Sequence, residues 1–191
     1  MDEENSEEVQ ETTTLVIDEL DRMSRFVEDL ILLAKAERLD FLQLETVDIK
    51  IFTQELFSKA QALGERNWCL DKTAKGMIIF DRQLLTQAVM NLAQNATQHT
   101  SYNDRIAIGS AIDKGEIKFW VRDTGEGINQ TDQQRIFDRF ARVANSRRRS
   151  EGAGLGLSIV KAIAEAHDGE ATLESQPGKG AKFCIILPVR S

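Results

Sequence analysis

Apolar residues recur along the first forty positions at intervals of four and three: Val16, Leu20, Met23, Val27, Leu30 and Ala34. This heptad seam predicts one long helix over about 8–39. Phe26 and Leu33 mark a second apolar stripe on the same segment. One helix cannot bury two stripes alone, so partner helices from this chain or another copy are expected. The period then changes. Short apolar runs at 44–49, 68–70 and 77–80 predict strands, with a helix over 52–63 between the first two. Asp81, a good N-cap, opens a run to Thr100 with a broad apolar face of Leu84, Leu85, Ala88, Val89, Leu92 and Ala96. Residues 105–112 and 116–122 alternate, with Ile117, Phe119 and Val121 on one face, and Asp113-Lys114-Gly115 between them reads as a hairpin turn. A short helix around 136–140, a helix over 157–167 and closing strands at 170–175 and 181–188 complete the map. Strands in one group and helices in another predict an α+β chain, a two-layer α/β sandwich preceded by the long N-terminal helix.

Three places on this map carry chemistry. Gly152, Gly154 and Gly156 alternate just before the apolar helix pattern. Backbone N–H groups could approach a phosphate there, where a helix N-terminus adds positive partial charge. The spacing excludes other nucleotide folds. A dinucleotide turn would need a third glycine at Leu157, and no Gly-Lys-Ser/Thr tripeptide of a P-loop occurs. His167-Asp168-Gly169 is not a protein-kinase catalytic loop. Upstream, Asp123 closes a strand and is followed by Gly125 and Gly127. Its carboxylate could accept from an exocyclic amine such as that of adenine, although Asp and Gly are also ordinary turn residues. Further upstream, Gln87, Asn91, Asn95 and Gln98 form a stripe of amides on one helix face. Two Asn in mid-helix carry a cost, and amide oxygens are hard, neutral ligands that suit Mg²⁺.

Composition narrows the partners. The 191 residues suffice for one core plus an appendage, and the net charge of -7 argues against nucleic acid as the main partner. Arg147, Arg148 and Arg149 form a local basic run, either reaching phosphates or simply solvated. Cys69 and Cys184 lie far apart with no CxxC, so neither a metal site nor a disulfide framework is implied. The longest apolar run is too short to span a bilayer. The acidic start, Asp2 to Glu8, is expected to fray.

Taken in order, these pieces resemble the catalytic and ATP-binding domain of bacterial sensor histidine kinases, in the gyrase/Hsp90/histidine-kinase/MutL ATPase superfamily. Residues 91–100 are similar to its N box, 123–128 to its first glycine box, 136–140 to its F box and 152–157 to its second glycine box. The closing stretch from Gly169 to Phe183 resembles the family's final hairpin. The resemblance implies the Bergerat ATP-binding fold, with ATP and Mg²⁺ as cofactors. It places Asn95 and Asn91 on Mg²⁺, Asp123 on the adenine amine, and Gly125, Gly127 and Ile128 beneath the base. Phe137 and Phe140 would anchor the following segment, with Arg139 and Arg142 near the phosphates. Gly152, Ala153, Gly154, Leu155, Gly156 and Leu157 would hinge and seat an ATP lid over 141–153. His99 matches a position often held by an aromatic residue or His beside the nucleotide. Many members carry Lys or Arg where Gln98 stands; here an amide replaces the cation.

The segment from Arg22 to Leu30 resembles the second helix of the family's dimerisation and phosphoacceptor domain. The resemblance divides the chain into 1–40, that helix, and 41–191, the catalytic domain. The first dimerisation helix, which carries the acceptor His, has no counterpart, so no catalytic nucleophile is assigned. The chain reads as a fragment, or as a protein that has lost its acceptor. Implied partners are a response regulator and the acceptor helix of the same or another protomer, in a homodimeric full protein. The resemblance implies a cytoplasmic domain and is compatible with a membrane-anchored full protein. Hydrolytic relatives carry Glu where Asn91 stands, and an amide cannot serve as a general base. A dimeric scaffold with a degenerate ATP site is the remaining, non-enzymatic alternative.

Overall fold

The computed structural model describes residues 2–36, 41–141 and 154–189, with side chains for all of these except 2–9 and 11. Helix α1 (Asp2–Lys35) is the long N-terminal helix. It includes the acidic start from Asp2. The two predicted stripes separate. Leu33 is buried, and Phe26 and Leu32 pack partly against the core. The heptad seam faces outward: Val16, Leu20, Met23, Val27 and Leu30 are all exposed.

Strand β1 (Glu45–Asp48) pairs antiparallel with β3 (Met77–Phe80) as a small two-stranded sheet. Asp48 caps helix α2 (Ile49–Gln61) by accepting from the Ile51 N–H at 3.0 Å. The main sheet contains β2 (Asn67–Leu70), β4 (Arg105–Asp113), β5 (Glu116–Asp123), β6 (Glu170–Ser175) and β7 (Ala181–Pro188). Their order is β2-β4-β5-β7-β6, with only β2 and β4 parallel. Helices α2, α3 (Arg82–Gln98) and α5 (Gly156–Ala166) cover one face of it. The α+β two-layer arrangement expected from the sequence is the one observed.

The alternation of β5 explains the core. Ile117, Phe119 and Val121 all point under the helices and are buried. Phe119 meets Phe52 and Phe80 edge-on, with ring centroids 5.5 and 5.9 Å away, an arrangement favoured by the ring quadrupoles. Cys69 and Cys184 are free, and burial pushes the Cys184 thiol up to about 11.

One element differs from the sequence reading. The helix expected around 136–140 is a series of turns, and among the described residues the only helical turn nearby is α4 (Gln130–Gln133). Asn129 caps α4 at Asp132 N–H, which starts the helix early, and Phe140 at φ 64 cannot continue one.

Candidate functional site

The amide stripe of α3 is neither core nor solvated surface. Gln87, Asn91, Asn95 and Gln98 are all half-buried, flanked by buried Ala88, Leu92 and Ala96, while Gln83 and Gln94 face solvent. Such a row borders a space filled by something other than bulk water. Two glycine segments define that space. At one end the Asn91 amide N–H donates to the Gly156 carbonyl at 3.4 Å. This leaves the Asn91 amide oxygen with no hydrogen-bond partner among the described residues. At the other end, Gly125 sits so close to the His99 carbonyl and Thr100 that any side chain would collide. Asn91 and His99 are eight residues apart, about 12 Å along a helix.

Asp123 ends β5 inside this space and is buried. Its Oδ1 accepts from the Gly125 N–H at 2.8 Å and the Ala181 N–H at 3.3 Å. Its Oδ2 has no partner among the described residues, yet no buried polar side-chain atom is left unsatisfied, so Oδ2 reaches the open space. Burial raises the carboxyl above the ordinary Asp range, opposed by those two backbone N–H groups and by nearby His99. Asp123 is thus held rigid through one oxygen and offers the other. His99, the C-cap of α3, borders the same region. Gln98 is the last residue of α3, half-buried beside it.

The turn after Asp123 is tied down by residues that sequence reasoning missed. Ser175 Oγ accepts from the Ile128 N–H at 2.9 Å and donates to the Gly180 carbonyl at 2.7 Å. The Gln133 side-chain amide donates to the carbonyls of Ile128 and Ser175, at 2.7 and 3.0 Å. The bonds of Ser175 to Ile128 and to Gln133 span 47 and 42 residues of chain, so no local pattern announces them. Gly127 adopts φ 70 in this turn. Arg66 is a further unforeseen support. It donates to the Thr97 and Thr100 carbonyls and to Thr100 Oγ1, which holds the end of α3. A recess of about 660 Å³ beside it is lined by Gln61, Trp68, Tyr102 and Asn103. Arg66 is there, but its Nε and Nη2 are engaged at the helix end and its Nη1 donates to the Glu65 carbonyl.

Helix α5 begins at Gly156 without a side-chain cap and with no acidic residue in its first turn. Leu155, at the cap position, is buried, and Leu157 is half-buried. The orphan N–H groups of the first turn and their dipole favour an anion. Just before it, the Phe140 N–H donates to the Gly154 carbonyl at 3.1 Å, with Gly154 at φ 75. Phe137 lies edge-on to Phe183, with ring centroids 6.2 Å apart. Phe140 is 58% exposed, and its contact with Gly154 runs through its backbone N–H. Arg139 is exposed. Arg142, Gly152, Ala153 and the Arg147–Arg149 run lie outside the described residues.

Of the two histidines, His167 is buried and structurally engaged. Its Nε2 accepts from the Asp81 N–H at 3.1 Å, and its Nδ1 faces the Ile163 carbonyl at 2.7 Å. A backbone N–H can only donate and a carbonyl only accept, so the ring is the neutral Nδ1–H tautomer. Among the described residues, no helix is long and apolar enough to cross a membrane.

The chain is similar to known proteins in both sequence and structure. A probable sensor histidine kinase TcrY of Mycobacterium tuberculosis is 34% identical over 97% of this chain and 40% of its own length. Sensor protein SrrB of Staphylococcus aureus is 34% identical over 95% of the chain and 32% of its own length. The chain therefore spans well under half of these relatives. Among solved structures, full-length ShkA in complex with AMPPNP superposes with a TM-score of 0.76 at 27% identity, covering 90% of this chain and 36% of that one. The mycobacterial sensor histidine kinase MprB superposes at 0.67 with 28% identity, over 76% of this chain and 99% of that one. The model of the histidine kinase-, DNA gyrase B-, and HSP90-like ATPases matches residues 80–191, the stretch that holds the amide stripe, Asp123 and both glycine segments, and the chain belongs to that family.

Proposed function

We propose that this chain is the Mg·ATP-binding catalytic part of a sensor histidine kinase. It would transfer the γ-phosphoryl group to a histidine on a dimerisation helix, for relay to a response regulator. The observation that carries this is the half-buried amide stripe of α3, bracketed by Gly156 at Asn91 and by Gly125 at His99. Adenine would meet Asp123 Oδ2 through its exocyclic amine, and the phosphates would lie toward the uncapped start of α5. The donor set fits Mg²⁺: the Asn91 amide donates elsewhere through nitrogen and keeps its oxygen, and Asn95 is half-buried one turn on. Bound there, the ion would neutralise phosphate charge. Asn91, Asn95, Gln98, His99, Asp123 and the two glycine segments are the proposed cofactor-binding residues, with residues 41–191 as the catalytic domain and 1–40 as a dimerisation helix.

A hydrolytic ATPase is disfavoured by Asn91, which stands where a water-activating carboxylate would be needed and spends its N–H on Gly156. The superposition on an AMPPNP complex, and sensor kinases among the relatives, support transfer to a protein group. Working within a cytoplasmic domain and pairing through the exposed α1 seam belong to the same proposal. Calorimetry tests it. The chain should bind Mg·ATP more tightly than ATP in excess chelator, and Asn95→Ala should remove that difference. Equal affinity of both proteins for Mg·ATP would reject the assignment.

A further inference from the structure

Three parts of the chain meet at Asp81 and His167, which are not among the residues proposed to hold the nucleotide. Asp81 Oδ2 accepts from the Gln43 N–H at 2.7 Å, in the segment between α1 and β1. Its Oδ1 accepts from the Leu84 N–H at 3.0 Å, which starts α3. Its backbone N–H donates to His167 Nε2 at the end of α5. Both residues are under 5% exposed, so water cannot readily replace these bonds.

Helices α3 and α5 run antiparallel side by side and are joined at two points. Asp81 at the start of α3 bonds His167 at the end of α5, and Asn91 in the middle of α3 bonds Gly156 at the start of α5. The arms match: Asp81 to Asn91 is about 15 Å, and Gly156 to His167 about 16 Å, at 1.5 Å rise per residue. Two stretches of similar length, one on each helix and pinned at both of their limits, move as one frame, so a shift at one pin reaches the other. The pin at Asp81 is also fastened to the segment arriving from α1, and α1 itself packs against α5.

We propose that Asp81 and His167 are positioning residues that couple the segment after α1 to the nucleotide site at Asn91 and Gly156. The coupling rests on the ATP reading above. It is reciprocal, so nucleotide must tighten the Gln43 bond as the segment tightens the site.

The test measures amide hydrogen exchange at Gln43 in the full 191-residue chain, with and without a non-hydrolysable ATP analogue and Mg²⁺. Calorimetry on the same samples reports binding. In the wild type the analogue should slow Gln43 exchange about fivefold or more, within the usual range of coupling between sites. In His167→Leu the acceptor for Asp81 N–H is gone and the response should vanish, although the analogue still binds. His167→Gln, whose side-chain oxygen can take the place of Nε2, should keep it. Asp81→Asn retains one acceptor oxygen instead of two and should also lose the response, so the inference stays testable if His167→Leu does not fold. A wild type that binds the analogue with unchanged Gln43 exchange overturns the coupling alone, as does a full response in the folded His167→Leu or Asp81→Asn. A wild type that releases no heat and binds nothing overturns the ATP reading, and the coupling with it.

Discussion

In the proposed role of Asp123, a single residue would serve recognition at a cost to the fold. Its carboxylate is buried, its Oδ1 is occupied by two backbone N–H groups, and its Oδ2 is left open. Asp123→Asn should keep the first arrangement and put an N–H donor where adenine presents its own. Loss of a charge-assisted hydrogen bond costs roughly 1.5–3 kcal/mol, so ATP affinity should fall by about one to two decades. A competitive binding assay checks this. The same substitution should stabilise the nucleotide-free protein. A carboxyl whose pKa is raised by burial takes up a proton more readily folded than unfolded. Its contribution to stability is therefore present at low pH and declines as pH rises through the raised value. The Asn variant lacks that decline, and its thermal midpoint near about pH 7 should exceed that of the wild type. The open oxygen of Asp123 was foreseeable from an Asp closing a strand before two glycines. The amide of Ala181, fifty-eight residues downstream, was not.

At the scale of elements, the site is a matter of how α3 and α5 are flanked. The stripe on α3 was legible because spacings of four, four and three place Gln87, Asn91, Asn95 and Gln98 on one face. The F-box turns were less legible, since apolar Ile136, Phe137 and Phe140 fit a helix by period alone. A left-handed Phe140 can be known only from the fold around it. There Phe140 and Gly154, both at positive φ, meet through one backbone bond at the root of the segment between them. Strain of this kind collects at functional sites. Gly154→Val would place a branched side chain at φ 75, with its Cβ 3.1 Å from Phe140 Cα. It should cost roughly 1–3 kcal/mol of stability and speed exchange of the Phe140 amide. Thermal unfolding and hydrogen exchange report the two effects, and unchanged exchange would show that the contact is incidental.

For the whole molecule, the question is what this chain can do alone. Phosphoryl transfer depends on an acceptor held in line with the γ-phosphate, and positioning supplies much of the rate. His167 is buried with both ring nitrogens engaged, and His99 closes α3 beside Asp123. The chain incubated with γ-labelled ATP should therefore gain no acid-labile, base-stable phosphate and should hydrolyse ATP slowly. A separate helical hairpin carrying an acceptor histidine should become labelled in its presence, docked at or near the exposed seam from Val16 to Leu30. Label on His167 would contradict its buried geometry, and label on either histidine would contradict the proposed division of labour.

Periodicity and turn chemistry were local enough to be decided by the amino-acid order itself: the seam of α1, the apolar face and cap of α3, the alternation of β5 and the glycine runs. They depend on neighbours within about one or two turns, and so did the family resemblance that rests on them. Which stripe of α1 is buried was not local, because Phe26 and Leu33 are chosen only once a core exists to receive them. The same holds for Ser175 and Gln133 beneath the first glycine turn, Arg66 at the end of α3, and the bonds of Asp81 to Gln43 and His167. Each joins groups tens of residues apart in most cases, whose polar atoms need partners only because folding has removed water from around them.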